Sequence, residues 1–239
     1  MSRANLLSRT IITLTAALVL APGARAQISW EGQSGVFLNP LAYPIAPGKV
    51  QASAHYIDLE RVGTISTFSV AGGLRGNVEI GFTRIASGVT GVASQNVIPV
   101  KWQFVKETSK IPGVAANIIY RDLVGTGSIT DYGLTGTKVL KAGTSTVIVS
   151  GGFRYTKALG VGLFGIADSA RVRWEASAAI FVNPKLILGA EYKEQIGARA
   201  WRDIALRYLY SKNLTIDVGL ANFAPSLSNQ VAAGITWAW

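Results

Sequence analysis

Ser53 and His55 are the two side chains of this sequence best suited to covalent chemistry. A serine becomes a nucleophile when a histidine within hydrogen-bonding reach accepts its proton and a third group orients that histidine. His55 is the only histidine among the 239 residues, and Ser53 lies two positions before it. On a strand, residues two apart share a face at a spacing of about 7 Å, which is long for a direct bond. We therefore expect His55 to be a structural residue on the polar face of a strand, and we keep catalysis as an alternative.

Charged residues form a second set with chemical potential, because they recur on one face of many predicted strands. In the segment 171–182, apolar residues such as Val172 and Trp174 alternate with Arg173 and Glu175. In a closed sheet this phase turns the apolar face outward and the charged face inward. Applied along the chain, it gives the inward set Glu79, Lys101, Arg121, Arg154, Arg173, Glu175, Glu191, Lys193, Asp203, Arg207 and Asp217. Two interpretations stay open: ion pairs that fill a narrow interior, or a water-filled pore with a weak preference for anions.

No pattern in the sequence supports the binding of a cofactor, a metal ion or a nucleic acid. The sequence has no cysteine, so thiolate metal sites and disulfides are excluded. The stretch GGLRGNVEIG lacks the lysine and hydroxyl residue that end a phosphate-binding loop. No group of Asp, Glu and His has the spacing of a metal site, and the basic residues are scattered rather than gathered in a stripe. We expect no cofactor, no metal ion and no nucleic-acid partner.

These side chains must be positioned by strands, because apolar and polar residues alternate over much of the chain. Charged residues make up only 15% of the sequence, against about 25% in soluble domains. The alternating segments are about ten residues long, which suits tilted strands that cross a membrane. They are 49–58, 63–71, 76–85, 95–105, 113–122, 130–140, 144–155, 171–182, 185–194, 200–210, 213–221 and 229–238. The prediction is an all-β, antiparallel transmembrane barrel of about 12 strands, with about 10 to 14 as the possible range.

Connections and aromatic residues agree with this prediction. Short turns such as GGLR and NP alternate with longer connections such as 86–94, 123–129 and 156–170, as in membrane barrels. Aromatic residues near strand ends are expected to lie at the membrane interfaces. They are Tyr56, Tyr120, Phe153, Tyr155 and Tyr192 at one end, and Trp102, Phe104, Tyr208, Tyr210, Trp237 and Trp239 at the other. Trp201 has the inward phase, so we expect either a bulge there or a place in a loop.

The N-terminal 48 residues divide into two segments. Residues 1–26 have a basic start, an apolar run at 11–21 and the small-x-small site Ala24-Arg25-Ala26, which is typical of a secretory signal peptide. Its removal would lower the net charge from +10 to +7. Residues 27–48 are rich in proline and glycine, which disfavours a long strand. We expect them to form a strap across the barrel mouth or a plug, and we expect residues 49–239 to form the barrel.

The last strand, NQVAAGITWAW, ends on Trp239 after strict alternation from Val231. It resembles the C-terminal signal of Gram-negative outer-membrane β-barrels. The resemblance implies a location in the outer membrane, contact with lipid and lipopolysaccharide, and insertion by the outer-membrane assembly machinery through this strand. The leader Gly32–Pro44 resembles the segment before the first strand of barrels linked to exopolysaccharide secretion. The sequence lacks the His-x-Ser-Asn-Gly pattern of the twelve-strand phospholipase family.

The predicted function is a non-enzymatic barrel that passes small solutes or assists the export of a polymer or solute. Two alternatives stay open. One is a lipid-modifying hydrolase of the outer membrane that uses Ser53 and His55. The other is a soluble periplasmic β-barrel that binds lipid in a lipocalin-like cup. The sequence does not indicate an oligomeric state.

Overall fold

The computed structural model describes residues 27–143, 145–160, 162–222 and 230–239. The predicted signal peptide, residues 1–26, lies outside the described residues. Twelve antiparallel strands form one closed barrel in which each strand pairs with the next along the chain, and the last strand pairs with the first strand of the barrel. The predicted fold class, an all-β antiparallel barrel of about twelve strands, is therefore confirmed. The fold explains how the backbone can be satisfied without water, because a closed barrel has no unpaired strand edge.

The barrel strands follow the alternation in the sequence. They are β3 (Val50–Asp58), β4 (Thr64–Leu74), β5 (Val78–Ser87), β6 (Gln95–Val105), β7 (Gly113–Leu123), β8 (Gly127–Ala142), β9 (Ser145–Ala158), β10 (Ile166–Asn183), β11 (Leu186–Lys193), β12 (Trp201–Leu209), β13 (Leu214–Asn222) and β14 (Gln230–Ala238). Two short strands, β1 (Gln27–Ile28) and β2 (Ser34–Gly35), pair with each other before the barrel begins. A single 3-10 turn, Glu60–Val62, lies between β3 and β4.

Strands β8, β9 and β10 are longer than predicted, with 16, 14 and 18 residues. A tilted strand needs only about 9–11 residues to cross the hydrocarbon layer, so these three strands extend beyond it. Their extra residues include polar ones such as Asp168 and Ser169, which carry no apolar alternation. As a result, the predicted connections 123–129 and 156–170 shorten to 124–126 and 159–165.

The two ends of the barrel can be named by the chain. The end where β3 begins and β14 ends is the terminal end, and Trp239 N–H donates to the Val50 carbonyl there at 2.9 Å. It carries the turns 75–77, 106–112, 184–185 and 210–213. The opposite end carries the connections 59–63, 88–94, 124–126, 159–165 and 194–200.

Side chains alternate across the wall, as the phase of the sequence requires. The outer face exposes large apolar and aromatic residues, for example Trp102, Tyr120 and Trp174. A contiguous exposed apolar surface of this kind needs to be covered by lipid or by protein. No helix among the described residues is long and apolar enough to cross a membrane.

Part of the interior is apolar, and Trp201 belongs to it. Trp201 is the first residue of β12, is only 4% exposed and packs in a core with Ile57, Ile119 and Leu163. The expectation that Trp201 marks a bulge or a loop is therefore wrong: the strand is regular there, with Trp201 paired opposite Lys193, and the side chain points inward. Leu163 comes from the connection 159–165, which folds in over the opposite end.

Candidate functional site

Residues 27–45, here called the plug, lie inside the barrel. Every residue from Gln27 to Ala42 is buried, and so is Ile45. The plug makes hydrogen bonds to inward side chains on β5, β6, β7, β8, β9, β11, β12 and β13. Contacts with strands around most of the circumference place the segment in the lumen.

The plug folds back on itself within the lumen. Its strands β1 and β2 pair through Gln27 with Gly35 and Ile28 with Ser34. The bend between them contains Gly32, which has a φ of +85°, a backbone conformation that residues with a Cβ rarely adopt. A Cβ at Gly32 would also lie 2.0 Å from the Thr83 hydroxyl oxygen of β5. Glycine is therefore required where the tip of the plug meets the barrel wall.

At the terminal end, charged wall residues bind the backbone of the plug. The Glu79 carboxylate accepts hydrogen bonds from the N–H groups of Ser34 and Ile45, at 2.7 and 2.8 Å. Lys101 donates to the Ser34 carbonyl at 2.6 Å and lies 3.7 Å from Glu79. Arg207, which is paired with Asp217 at 2.7 Å, donates to the carbonyls of Gly35 and Val36. The charged wall side chains thus bind backbone N–H and C=O groups of the plug that have no partner in a regular strand.

Glu191 is surrounded by the plug backbone in the middle of the lumen. Its two carboxylate oxygens accept hydrogen bonds from the N–H groups of Phe37, Leu38 and Asn39, at 3.3, 2.6 and 3.1 Å. Successive N–H groups that converge on one anion form a concave anion site. Asp203 on β12 is the register partner of Glu191. The plug is therefore shaped around a wall carboxylate as well as around wall cations.

The tip of the plug places a carboxylate among three cations. Glu31 accepts from Arg121 at 2.8 Å, from Arg154 at 2.7 Å and from Lys193 at 2.7 Å. We call Arg121, Arg154 and Lys193 the cation cluster. The acids Asp131 and Glu175 of the wall also contact it, at 2.8 Å from Arg121 and 3.3 Å from Arg154. All six of these side chains are at most 7% exposed.

Glu31 belongs to the plug rather than to a spanning strand, and it stays ionised in this cluster. Burial by itself would raise the pKa of its carboxyl, but the attraction of Arg154, Lys193 and Arg121 outweighs burial and holds the pKa well below its usual value. The Glu31 carboxylate is therefore a charged partner in a desolvated ion-pair network.

Apolar side chains of the plug complete the packing. Trp30, Phe37 and Leu38 are at most 1% exposed and join the core that contains Ile57 and Trp201. Phe37 meets the His55 ring edge-on at a centroid distance of 5.8 Å, and Trp30 lies 6.2 Å from the same ring. The plug is thus held by apolar contacts, which include the β3 side of the lumen, as well as by its polar contacts to the other strands.

His55 and Ser53 are both buried and point inward, and His55 packs against the plug. The His55 Nδ1 atom lies 3.3 Å from the Thr67 hydroxyl. Ser53 is not among the hydrogen-bond partners that the described residues offer to His55, and no carboxylate is bonded to the ring. The arrangement does not form the oriented nucleophile and base that hydrolysis requires. Gly234 lies under the ring, because a Cβ there would be 2.2 Å from His55 Cδ2.

All eleven charged residues of the predicted inward set lie on the inner wall. Ten are buried, and Arg207 is mostly buried at 11% side-chain exposure. The structure brings Arg121, Arg154, Glu175 and Lys193 into one network, while Glu79 with Lys101 and Arg207 with Asp217 form separate pairs. Arg173 binds the Ala158 carbonyl at 2.7 Å instead of an acid.

Two acids of the site were missing from the sequence prediction. Asp131 has the inward phase of β8, since it is buried between the exposed residues Thr130 and Tyr132, so this signal was present in the sequence. Glu31 lies in an irregular segment without alternation, and no local signal indicates its role. Among the described residues no group of Asp, Glu and His is arranged to hold a metal ion. The side chains of the site fill the lumen, and their opposite charges neutralise one another.

Comparison with known proteins agrees with this architecture. The NanC porin matches at 9% identity with a TM-score of 0.60, and the match covers 79% of this chain and 98% of that one. The KdgM porin matches at 11% identity with a TM-score of 0.56 and the same coverage. The outer membrane protein Omp33 of Acinetobacter baumannii matches at 9% identity and 0.54, covering 80% of this chain and 97% of its own. At these identities the likeness shows the fold, which is that of outer-membrane porins and channels.

Sequence comparison gives the family. No curated protein matches the sequence. A family model described as a protein of unknown function matches residues 65–230, which cover β4 to the start of β14. Because this match spans well over half of the chain, the protein belongs to the family of unknown function DUF3034.

Proposed function

We propose that this protein is an outer-membrane channel for small solutes and that its N-terminal plug is the gate. The observation that carries the proposal is a porin-like barrel whose charged inner wall is occupied by a peptide of the same chain. The barrel wall is complete without the plug, because every strand is paired on both sides. Removal of the plug would therefore leave a closed wall lined by the inward charges.

The contacts of the plug support a displaceable gate. Most of the polar contacts are buried ion pairs and charged hydrogen bonds. Such groups lose hydration when they pair, so their net contribution to stability is small compared with their number. When the plug leaves, water re-solvates both partners and recovers much of that loss. An apolar plug of the same size would recover no comparable hydration free energy when it left the lumen.

We propose that the protein lies in the outer membrane and that its role is not catalytic. The exposed apolar belt suits contact with hydrocarbon and lipid, including lipopolysaccharide. The geometry of His55 argues against hydrolysis, because this residue packs on Trp30 and Phe37 instead of activating Ser53. Assistance in exporting a polymer would need a lumen that opens fully, which the same gate would control.

A disulfide between plug and wall tests the gate. The Cβ of a residue at Gly189 would lie 3.1 Å from Val36 Cγ1, and a disulfide places each sulfur about 3 Å from the partner's Cβ. Val36→Cys with Gly189→Cys should therefore form a bond without backbone movement. The chain has no other cysteine, so the pair is unique.

The assay is planar-bilayer conductance of the refolded protein from residue 27 onward, in oxidising and in reducing buffer. We expect discrete openings after reduction and silence after oxidation, with each single-cysteine variant insensitive to redox state. Equal conductance of the oxidised and reduced double variant would show that the plug is not the gate. Silence of the folded, inserted, reduced protein under all voltages would contradict solute passage.

A further inference from the structure

The cation cluster is the feature of the interior that points to a class of solute. In the docked state its three cations are balanced by three acids, Glu31, Asp131 and Glu175. Departure of the plug removes Glu31 and leaves one positive charge without a partner. In the narrow, hydrated lumen of the open state, this excess positive charge should attract an anion to the same position.

The geometry of the cluster selects a carboxylate. Arg121 binds the Oε1 atom of Glu31, while Arg154 and Lys193 both bind Oε2. Guanidinium groups match the planar, two-oxygen shape of a carboxylate, and their bonds to it are short and charge-assisted. Glu31 thus occupies a site that any solute carboxylate of similar reach could fill.

The residue next to Glu31 indicates what lies beside that carboxylate. Trp30 is fully buried and contacts His55 on β3, whereas Glu31 binds β7, β9 and β11. Strands β3 and β9 lie on opposite sides of the twelve-strand ring. The Trp30–Glu31 tip therefore spans the lumen, with its acid on the charged wall and its aromatic group on the apolar wall. Withdrawal of the tip would vacate both positions together.

A small cavity borders the cation cluster. It is lined by the cluster itself, by Asp131 and Glu175, and by Arg173, Ala158 and Glu194. Ala158 ends β9 and Glu194 directly follows β11, so both lie at the rim of the opposite end. A solute arriving from that side would meet the cation cluster before it met the rest of the plug.

We propose that Arg121, Arg154 and Lys193 form the binding site for the carboxylate of a small acid with an aromatic or other apolar body. Such an acid competes with Glu31 for the cluster and thereby releases the plug. This inference rests on the proposed function, since it names the solute class and the trigger of the same gate.

Binding of 3-phenylpropionate to the full mature chain tests the site. The Glu31→Gln variant keeps the size of the side chain and removes the internal competitor, so it should bind the acid at least about tenfold more tightly than the wild type. The neutral amide of the same compound should not bind, and acetate should bind more weakly because it lacks the apolar body. Isothermal titration calorimetry in detergent supplies the affinities, with heat-dependent gel mobility as the check that each barrel is folded.

Two further variants keep the test decisive if Glu31→Gln alters the fold of the plug. Lys193→Met on the wild-type background should abolish binding, while Lys185→Met, in the exposed turn 184–185 at the terminal end, should retain it. Equal affinity of the acid and its amide, or equal affinity of wild type and Glu31→Gln, would overturn the site. Failure of the gate is a separate result: the acid would then bind as expected while the reduced disulfide variant conducted nothing.

Discussion

Replacing Trp30 with alanine should release the plug while leaving the barrel intact. The Trp30 side chain is fully buried in a core that includes Ile57, Leu163 and Trp201. Loss of a buried tryptophan of this kind costs about 3–5 kcal/mol. Because Trp30 contacts the wall only when the plug is docked, most of that loss should fall on docking. Since each 1.4 kcal/mol is a factor of ten, the undocked population should rise by roughly 10²- to 10³-fold.

A single cysteine in the plug can report this population. Ser29 is 1% exposed, and Ser29→Cys changes one atom in a chain that has no cysteine. When redocking is faster than labelling, the rate of maleimide labelling follows the equilibrium population of the open state. We expect the labelling rate of Ser29→Cys to increase by the factor above when Trp30→Ala is added, while the thermal unfolding of the barrel shifts little.

Trp174→Ala is the matched control, because Trp174 is 62% exposed on the outer face and packs against Phe153 instead of the plug. It should leave the labelling rate unchanged. An unchanged rate in the Trp30→Ala variant, with the barrel folded, would refute the idea that this tryptophan holds the plug. An equal increase in both variants would show that the effect reports general loosening of the barrel.

Two further predictions follow from the plug contacts. Gly73→Ala should raise Ser29→Cys labelling, because its Cβ would lie 2.1 Å from the Ile45 carbonyl and 2.3 Å from that of Ala46; Gly136→Ala, with its nearest contact at 3.7 Å, should not. Acid should open the gate through Glu31, because the pKa of this carboxyl is lower in the docked plug than its usual value near 4.5. The ionised Glu31 side chain therefore contributes fully to docking above pH 4.5, and that contribution is lost as the pH falls through the lowered pKa. The part of the channel open probability that depends on Glu31 should therefore stay constant between neutral pH and about 4.5 and should rise below that pH. Glu31→Gln should lack this rise; an identical pH profile for both proteins would contradict the role of Glu31.

Strand positions could be predicted from the sequence because the signal is local. A strand with one face toward lipid and one toward the lumen must alternate with a period of two. For β6 the predicted bounds, 95–105, are those of the structure, and the other strands with a clear apolar face agree within a few residues. The same alternation also identified the inward phase of residues such as Arg154 and Glu191.

Strand ends outside the apolar belt could not be read in this way. Residues 166–170 of β10 include Asp168 and Ser169, and of these five only Ile166 pairs with β9, because the register shifts between Ile166 and Arg171. This irregular strand end leaves no alternation in the sequence. Trp201 was misjudged for a related reason. A large apolar residue in the inward phase contradicts a polar lumen, but it fits a lumen that contains an apolar core around the plug.

The sequence by itself determined the barrel: its all-β class, a strand number close to twelve and the residues on its inner face, since each follows from alternation between neighbouring residues. Only the tertiary structure decided how that inner face is used. Glu31 meets Arg121, Arg154 and Lys193 across 90, 123 and 162 residues of chain. Whether a glycine- and proline-rich leader lies across the mouth or inside the lumen depends on charges that converge only after the barrel closes. No local pattern can encode that convergence, because it is a property of the closed ring rather than of any one strand.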